Sequence, residues 1–452
     1  MLTKWVTPIL ALGAVLTLVF NNGRLGLIAI AVAVIGVGID LALAGSLADV
    51  TLERDGDRQV RLGDIATVGL TVTNRGVRTV TADIRDAWVP SAGARFADWD
   101  STTGRVRLDP GQAFRFETVL NPTRRGDRPA VRVTLRSIGP LRLAYRQARL
   151  ARASALTPPW TLRVLPRFDS RRFLAEKVAK LRVFDGAVVT RGRGQGTEFD
   201  SLREYVIGDD VRSIDWRGTA RRSDVVVRTW RPERDRRVVC VIDTGRTSAV
   251  RVGTTAVGAD RERFGAEPRL DAAIDAALLL GELASRAGDL VDVLAADTAL
   301  RVAITGSTNR TLLTRMVNAL APLQPALVET DFSLLVGEVL RRERKRALVV
   351  LFTALEPGAL GEGLLPVLSQ LTARHKVLVA AVHDPEIDGL TRRRGAVGDI
   401  YIAAAAHKTL AERKRVLAAL TNHGVEVVDA PVGIYASQVA DAYLKMKASG
   451  RL

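Results

Sequence analysis

Two apolar runs separated by a short polar break open the chain. Trp5–Phe20 is apolar or small apart from two threonines, and Leu25–Gly45 contains a single charged residue, Asp40. At about 1.5 Å of rise per residue the second run can cross the ~30 Å hydrocarbon core of a bilayer, whereas the first is short and needs flanking residues. The break at Asn21–Arg24 supplies a tight turn. The pattern therefore predicts two transmembrane helices, a helical hairpin, within residues 1–48.

Short runs that alternate apolar and polar positions fill residues 50–165. Ala66–Thr73, Phe114–Leu120 and Val131–Leu135 are examples, and Asn-Arg-Gly and Asp-Pro-Gly turn signals lie between such runs. A period of two is typical of strands with one buried face. We therefore predict a β-rich, sandwich-like antiparallel domain over this range, and no catalytic constellation stands out within it.

Residues 238–452 alternate longer apolar runs with helical patterns. Strands that are apolar throughout are buried on both faces, and helices such as Leu270–Ala287 between them imply a parallel, doubly wound, Rossmann-like sheet. Ligands of such sheets bind at the carboxyl ends of the strands, where Asp243 follows the first run. The predicted strands are Val238–Ile242, Leu290–Ala296, Ala347–Phe352, Val377–Val382 and Val425–Val428.

The intervening segment, residues 166–237, is rich in arginine and mixes charges of both signs with aromatic residues. Two interpretations stay open: a network of ion pairs that fixes an irregular segment, or a partner-binding surface anchored by Arg and Trp. An acid/base cluster of aspartates is disfavoured, because the adjacent Arg212 and Arg217 suggest salt bridges. The partner-binding candidates are Arg203, Tyr205, Asp209, Asp210, Arg212, Asp215 and Trp216.

Composition narrows the function. The formal charge of +17 is spread along the chain and aromatic residues are only 5%, so we expect no nucleic-acid binding, although a basic nucleic-acid-binding protein remains an alternative. The single cysteine, Cys240, excludes an intramolecular disulfide. None of the four histidines has metal-ligand spacing, and the glycine cluster at Gly192–Gly196 lacks the Lys-Ser/Thr of a phosphate loop. We expect no catalytic residues and no enzymatic activity.

Basic residues follow the second apolar run, including Arg54, Arg58 and Arg61. Because cytoplasmic flanks of membrane proteins carry excess Lys and Arg, we expect a two-pass protein of the cell membrane, in contact with lipid, whose large domains are cytoplasmic. A secretory signal peptide is the competing interpretation, since Lys4 precedes an apolar stretch. An exported adhesion module held by the same hairpin is a further alternative, which a topology reporter after residue 452 would separate.

The edge of the predicted sheet resembles the cation site of von Willebrand factor A domains, which use Asp-x-Ser-x-Ser, a loop threonine and a later aspartate. Asp243-Thr-Gly-Arg-Thr247 resembles the first element with Gly245 in place of a serine, and Thr330 resembles the loop threonine. The third carboxylate position holds Ala354, with Glu356 as a possible substitute. The resemblance implies a degenerate Mg²⁺ site on Asp243, Thr247 and Thr330.

A second resemblance is carried by a motif in the arginine-rich segment. Its residues are Gly196, Phe199, Leu202, Arg203, Tyr205, Gly208, Asp209, Asp210, Arg212, Ile214, Asp215, Trp216, Ala220 and Arg221. On these, residues of about 125–245 resemble the bacterial "domain of unknown function 58" family. Its members carry an N-terminal hydrophobic hairpin, a β domain and a von Willebrand A-like domain. The resemblance implies a membrane-bound scaffold, adaptor or co-chaperone that works with a MoxR-type AAA+ ATPase.

Overall fold

The computed structural model describes residues 3, 5–97, 102–147, 157–189, 198–206, 209–222, 224–231, 236–252, 267–307 and 311–450. The chain divides into two compact units, Met1–Arg167 and Phe168–Leu452, and each is described by itself.

Two apolar helices begin the first unit, α1 (Val6–Val19) and α2 (Gly23–Leu43). Among the described residues, α2 is the helix that is long and apolar enough to cross a membrane, while α1 is shorter. The two helices approach closely, because a Cβ on Gly13 would overlap the Cβ of Ala29. Small residues at a contact between apolar helices allow the two backbones to approach closely. The helix ends agree with the predicted runs to within a few residues.

The acidic residue inside α2 has a structural explanation. Asp40 is fully buried, and its carboxylate accepts hydrogen bonds from the backbone N–H groups of Leu141, Leu143 and Ala144 at 2.7, 2.6 and 2.9 Å. A buried carboxylate is costly unless hydrogen bonds compensate for the water it has lost. Leu143 also packs with Val6 and Ala33. Asp40 therefore ties the helical pair to a loop of the β domain in the same unit.

Among the described residues of the first unit, ten strands follow the helices and form two sheets. The four-stranded sheet has the order β1-β3-β7-β5, and the six-stranded sheet runs β2-β10-β8-β4-β6 with β9 beside β8. All pairs are antiparallel except β10 with β2. The strands are β1 (Val50–Gly56), β2 (Gln59–Arg61), β3 (Ala66–Asn74), β4 (Val80–Trp88), β5 (Ala94–Phe96), β6 (Thr103–Leu108), β7 (Ala113–Leu120), β8 (Gly126–Ile138), β9 (Tyr145–Gln147) and β10 (Thr161–Leu165).

The two sheets pack together through two apolar clusters, which makes the domain a sandwich. Leu70 and Phe116 of the smaller sheet pack with Ile84 and Leu135 of the larger one. Next to this core lies a buried ion pair between Arg54 and Asp86, whose side chains are 1% and 0% exposed. The strands that the alternating pattern predicted are therefore present.

The second unit is an α/β fold with an irregular preceding segment. Its helices are α3 (Leu174–Val189), α4 (Trp216–Arg222), α5 (Arg269–Arg286), α6 (Leu312–Leu320), α7 (Phe332–Arg342), α8 (Leu365–Thr372), α9 (Pro385–Leu390), α10 (Val397–Asn422) and α11 (Val432–Ala448). Its strands are β11 (Glu198–Glu204), β12 (Val226–Arg231), β13 (Arg237–Asp243), β14 (Arg251–Val252), β15 (Glu267–Pro268), β16 (Leu290–Ala296), β17 (Leu300–Ser307), β18 (Leu348–Phe352), β19 (Lys376–His383) and β20 (Glu426–Pro431).

Six of these strands form the central sheet in the order β17-β16-β13-β18-β19-β20. Five run parallel, and β17 is antiparallel to β16 at one edge. The chain winds outward in both directions from β13 and β18, so the crevice between their carboxyl ends is the place where ligands bind in open α/β sheets. The five predicted strands are present, and β17 is a sixth that the apolar runs did not predict.

The segment before the sheet is attached to the α/β fold by polar contacts. The backbone N–H and hydroxyl of Ser170 donate to the carboxylate of Asp275 on α5 at 3.2 and 3.0 Å, and Lys177 of α3 lies 2.7 Å from Asp441 on α11. Burial raises the pKa of Asp275 to about 6, although the hydrogen bonds from Ser170 act to lower it. Asp275 is therefore a titrating group within the fold.

This raised pKa predicts a pH-dependent stability. The folded state favours the protonated carboxyl, so the free energy of unfolding should fall as the pH rises from about 4 through about 6. Asp275→Asn keeps an acceptor for Ser170 and cannot ionise. We therefore expect the free energy of unfolding of this variant at pH 7 to exceed that of the parent chain by about 1–3 kcal/mol. Denaturant titrations at pH 4 and pH 7 would test this. An equal pH slope in both proteins would contradict it.

Candidate functional site

The carboxylate of Asp243 is the centre of the crevice at the carboxyl end of β13. The side chain is almost fully buried, and three threonine hydroxyls converge on it from separate loops. Thr353 donates to Oδ2 at 2.6 Å, Thr247 donates to the same oxygen at 3.3 Å, and Thr330 donates to Oδ1. The backbone N–H of Gly245 also donates to Oδ1, at 2.8 Å. Asp243 thus fastens three loops at the switch point of the sheet.

The glycine at position 245 is required by space. Its backbone angles are ordinary, with φ −72°. A Cβ at this position would overlap the hydroxyl of Thr330 and lie 2.9 Å from the carbonyl oxygen of Val328. The Thr330 hydroxyl therefore occupies the space that a serine side chain at position 245 would need.

A second aspartate, Asp297, holds the loop that follows β13. Asp297, directly after β16, accepts a hydrogen bond from the Thr244 hydroxyl at 3.0 Å and one from Nε of Arg301 at 2.8 Å. Burial acts to raise the pKa of Asp297, but the hydrogen bonds from Arg301 and Thr244 and from two backbone N–H groups outweigh it and lower the pKa to about 2. Asp297 is therefore ionised at neutral pH and holds Thr244 in place.

Glu356, the candidate substitute for the missing carboxylate, is already paired. Nη1 of Arg269 lies 2.7 Å from Glu356 and 3.2 Å from the carbonyl oxygen of Thr247. The cavity beside Asp243 has a volume of about 10 Å³, roughly the space for one water molecule. Within the described part of the chain no cluster of three or more His, Cys, Asp or Glu could hold a metal.

Few groups at this site could act as ligands of Mg²⁺. They are one carboxylate, Asp243, and the hydroxyls of Thr247, Thr330 and Thr353, which already donate to that carboxylate. Magnesium is usually held by one or two carboxylates in an octahedral shell completed by water. A site with a single charge, a cationic neighbour in Arg269 and room for about one water fits this ion poorly.

Restoring the motif serine tests the crowding at position 245. Gly245→Ser should destabilise the α/β unit by about 1–3 kcal/mol, because the added atoms overlap Thr330. Thr330→Ala removes that hydroxyl, so the double variant should recover part of the loss, and the coupling measured by a double-mutant cycle should be favourable. Thermal denaturation of the four proteins measures it. Strict additivity would show that the two positions do not compete for space.

The arginine-rich motif forms a small antiparallel hairpin, β11 with β12, and the short helix α4. Two of its aspartates are paired within it: Asp209 with Arg203 at 2.5 Å, and Asp215 with Arg228 at 2.8 Å. The hydrogen bond from Arg228 lowers the pKa of Asp215, and the backbone N–H of Gly218 adds to the effect. The prediction of salt bridges was right, but the predicted partners, Arg212 and Arg217, were wrong.

Other motif residues point outward. Trp216, at the start of α4, is 66% exposed, and Asp210, Val211 and Arg212 are exposed as well. The carboxylate of Asp210 accepts a hydrogen bond from the backbone N–H of Arg212 at 3.0 Å. Tyr205 is partly buried, and its backbone N–H donates to Val225 at 2.8 Å. Arg203, Asp209 and Asp215 thus form ion pairs within the motif. The exposed residues Asp210, Arg212 and Trp216 form what we call the motif surface.

Two glycines of the predicted motif, and the glycine cluster to which one of them belongs, lie outside the described residues. These are Gly196, Gly208 and the glycine cluster at residues 192–196.

The family model named "Protein of unknown function DUF58" matches residues 201–403. Over these residues the chain is similar to the DUF58 family. The matched range begins within the motif hairpin and ends in the first turns of α10, so it includes both Asp243 and the motif surface. The recognition from the motif is confirmed, while the range of about 125–245 that we assigned to it began too early and ended too soon.

Proteins similar to this chain include uncharacterised proteins of Mycobacterium bovis and Mycobacterium tuberculosis. Each is 30% identical over 199 residues. The match covers 42% of this chain and 56% of each relative, so the chain spans little more than half the length of the curated relatives.

Two solved structures share a local likeness with this chain. The CARDB domain of a Pyrococcus furiosus protein is 15% identical, with 26% of this chain and 87% of that chain covered and a TM-score of 0.18. A fragment of alpha-2-macroglobulin from Escherichia coli is 18% identical, with coverages of 27% and 17% and a TM-score of 0.20. Scores this low carry no argument about fold or function.

Sequence reasoning missed Thr353, Asp297 and Arg269 at the site. A usable signal existed for two of them, since Thr353 and Asp297 are the first residues after buried strands. Polar residues at that position meet at the same edge of a parallel sheet. Arg269 gave no such signal, because its role depends on where α5 begins.

Proposed function

We propose that this protein is a membrane-anchored adaptor or co-chaperone that binds a MoxR-type AAA+ ATPase through its DUF58 region. The observation that carries the proposal is the exposure of Trp216, at 66%, within a motif whose neighbouring aspartates Asp209 and Asp215 are paired internally. A large exposed aromatic side chain beside an arginine is typical of a binding anchor. Since the proposed partner hydrolyses ATP, the adaptor needs no nucleotide site of its own.

The α/β unit has features of a von Willebrand factor A-like domain, and these support a binding role. Its sheet has one antiparallel edge strand, β17, and the residues that resemble the cation motif lie together at the carboxyl edge. We propose that the domain works without a resident cation. The hydroxyls of Thr247, Thr330 and Thr353 would then serve as a latch on Asp243 that holds the loops in one arrangement.

The membrane anchor is the pair α1 and α2, which we propose cross the bilayer as a hairpin with the large domains in the cytoplasm. Support comes from the length and apolarity of α2 and from the basic residues that follow it. A reporter fused after residue 452 should be active in the cytoplasm. Activity of an exported reporter at that position would reverse the orientation and favour the adhesion alternative.

The partner is tested by affinity purification from native membranes in mild detergent, with and without ATP. We expect an AAA+ ATPase to co-purify in a nucleotide-dependent manner. Recovery of other proteins without such an ATPase, in both conditions, would overturn the adaptor proposal.

Trp216→Ala should reduce recovery of the ATPase at least tenfold, because truncation of an anchor residue commonly costs about 2 kcal/mol or more of binding free energy. The side chain is exposed, so the stability of the variant should change by less than about 1 kcal/mol. Quantitative mass spectrometry and thermal denaturation measure the two effects. Val77→Ala, which truncates an exposed apolar residue of the other unit, is the control. Equal recovery from Trp216→Ala and the control would remove Trp216 from the interface.

A further inference from the structure

The first two turns of α10 present their apolar side chains outward. Val397, Ile400 and Tyr401 are 72%, 58% and 75% exposed, although they lie in a regular helix. Their spacing of three and four residues places them on one face, while Ala403 and Ala406 face the interior. A contiguous apolar face on the outside of a helix marks an interaction site.

Three consecutive arginines precede this face. Arg392, Arg393 and Arg394 are all exposed in the turn between α9 and α10. Nη1 of Arg393 lies 4.0 Å from Asp399, and Nη1 of Arg394 donates to the carbonyl oxygens of Thr391 and Arg393. Of the α9 carboxylates, Asp388 lies 2.6 Å from His383.

Four carboxylates lie close in sequence to the three arginines: Asp384, Glu386, Asp388 and Asp399. Of these, Asp399 lies 4.0 Å from the guanidinium group of Arg393. Lys408 lies further along the same helix, with a side chain that is 78% exposed and 3.9 Å from Glu412. We call the set of Arg392–Arg394 and Val397, Ile400 and Tyr401 the α10 patch.

This combination fits the surface of an anionic bilayer. Arginines interact with lipid phosphates and with the negative surface potential, while apolar and aromatic side chains enter the headgroup boundary. Tyrosine is favoured at that depth because one end of its ring is apolar and the other is polar. An acidic protein partner would satisfy the arginines, but the apolar face next to them matches the bilayer better.

We propose that the α10 patch docks on the anionic surface of the membrane in which the chain is anchored. The proposal rests on the proposed anchor, because tethering keeps the patch at high local concentration near the bilayer. A single patch of this kind would bind free vesicles only weakly, and anchoring supplies the second attachment. Docking would give the DUF58 region a defined position at the membrane.

The test uses the full chain with Tyr401→Cys, labelled with an environment-sensitive fluorophore. The native Cys240 is buried, and burial raises the pKa of its thiol to about 12, so it should resist labelling. The protein is reconstituted into vesicles of phosphatidylcholine alone or mixed with phosphatidylglycerol. Asn422→Cys, at the other end of the same helix and about 30 Å away, is the matched control.

We expect a blue shift and quenching by spin-labelled lipid for the label at position 401 in the phosphatidylglycerol vesicles, and neither for the label at 422. Replacing Arg392, Arg393 and Arg394 by glutamine should lower the ratio of docked to undocked protein by roughly a hundredfold. A label at 401 that stays in water would overturn the proposal. A blue shift that persists in detergent without lipid would do so too, because a protein surface would then cover the patch.

Carbonate extraction of the same vesicles separates this proposal from the anchor. Resistance to carbonate with an unquenched label at 401 retains the anchor and removes the docking. Extraction by carbonate after lipid quenching of the label retains the docking and removes the anchor. A protein that shows neither resistance to carbonate nor quenching of the label would contradict both proposals.

Discussion

Asp243→Ala is expected to destabilise the α/β unit by about 3–5 kcal/mol. The substitution removes the acceptor of hydrogen bonds from Gly245, Thr330, Thr247 and Thr353, and it leaves buried donors without a partner. Each buried donor that loses its partner costs about 1–3 kcal/mol, although rotation of the hydroxyls recovers some of this. Denaturant unfolding of the full chain in detergent measures the loss.

Two controls separate the latch from a cation site. Asp243→Asn keeps the shape and one carbonyl acceptor, so its cost should be only about 1–2 kcal/mol. Chelation with EDTA, or addition of Mg²⁺, should leave the unfolding midpoint of the parent chain unchanged. A cation present at a hundred times its Kd would stabilise the fold by about 2.7 kcal/mol, so a clear shift on chelation would establish a metal site and contradict the latch.

Asp86→Ala is expected to destabilise the β-sandwich by about 3–5 kcal/mol. Its carboxylate is fully buried, pairs with Arg54, and accepts hydrogen bonds from Trp88 Nε1 at 2.8 Å and the Thr118 hydroxyl at 3.1 Å. Removing one partner of a buried ion pair leaves the other charge without compensation, which is far more costly than losing an exposed pair. The free energy of unfolding of the first unit, followed by tryptophan fluorescence, measures the effect.

The same strand offers a matched control for the burial argument. Asp83, also on β4, pairs with Arg105 at 2.6 Å, but the two side chains are 30% and 48% exposed. Asp83→Ala should cost less than about 1 kcal/mol. Replacing the buried pair by Arg54→Met and Asp86→Leu together should recover most of the loss. Similar costs for Asp83→Ala and Asp86→Ala would contradict the role of burial.

Substitution of Asp86 and substitution of Asp243 should have different consequences for function. Asp86 is buried in the sandwich, next to an apolar core, so its expected effect concerns stability alone. Asp243 lies at the switch point of the sheet, so loosening its loops should also change binding at the carboxyl edge. A variant at Asp243 that folds at low temperature but no longer recovers the ATPase would place the partner on that edge as well as on the motif surface.

Local patterns in the sequence predicted most of the secondary structure. Alternating apolar and polar residues, as in β3 and β7, indicate burial on one face of a strand, and uninterrupted apolar runs, as in β13, β18 and β19, indicate burial on both faces. Burial of this kind does not depend on which residues are the neighbours, so a local pattern is enough to predict it. The strand β17 was missed because it is partly exposed at the sheet edge and mixes arginine and threonine with its apolar residues. The motif itself was sufficient to recognise the family.

The sequence alone determined the apolar helices and most of the strands, because hydrophobic periodicity reports burial whatever the neighbouring groups are. Only the tertiary structure decided which groups meet: Thr330 and Thr353, 87 and 110 residues from Asp243, donate to its carboxylate, and Asp215 pairs with Arg228 instead of Arg217. Hydrogen bonds and ion pairs act over a few ångströms, so their partners depend on how the chain returns in space. The outward apolar face of α10 was likewise decided by packing, since the spacing of Val397, Ile400 and Tyr401 cannot tell an outer face from an inner one.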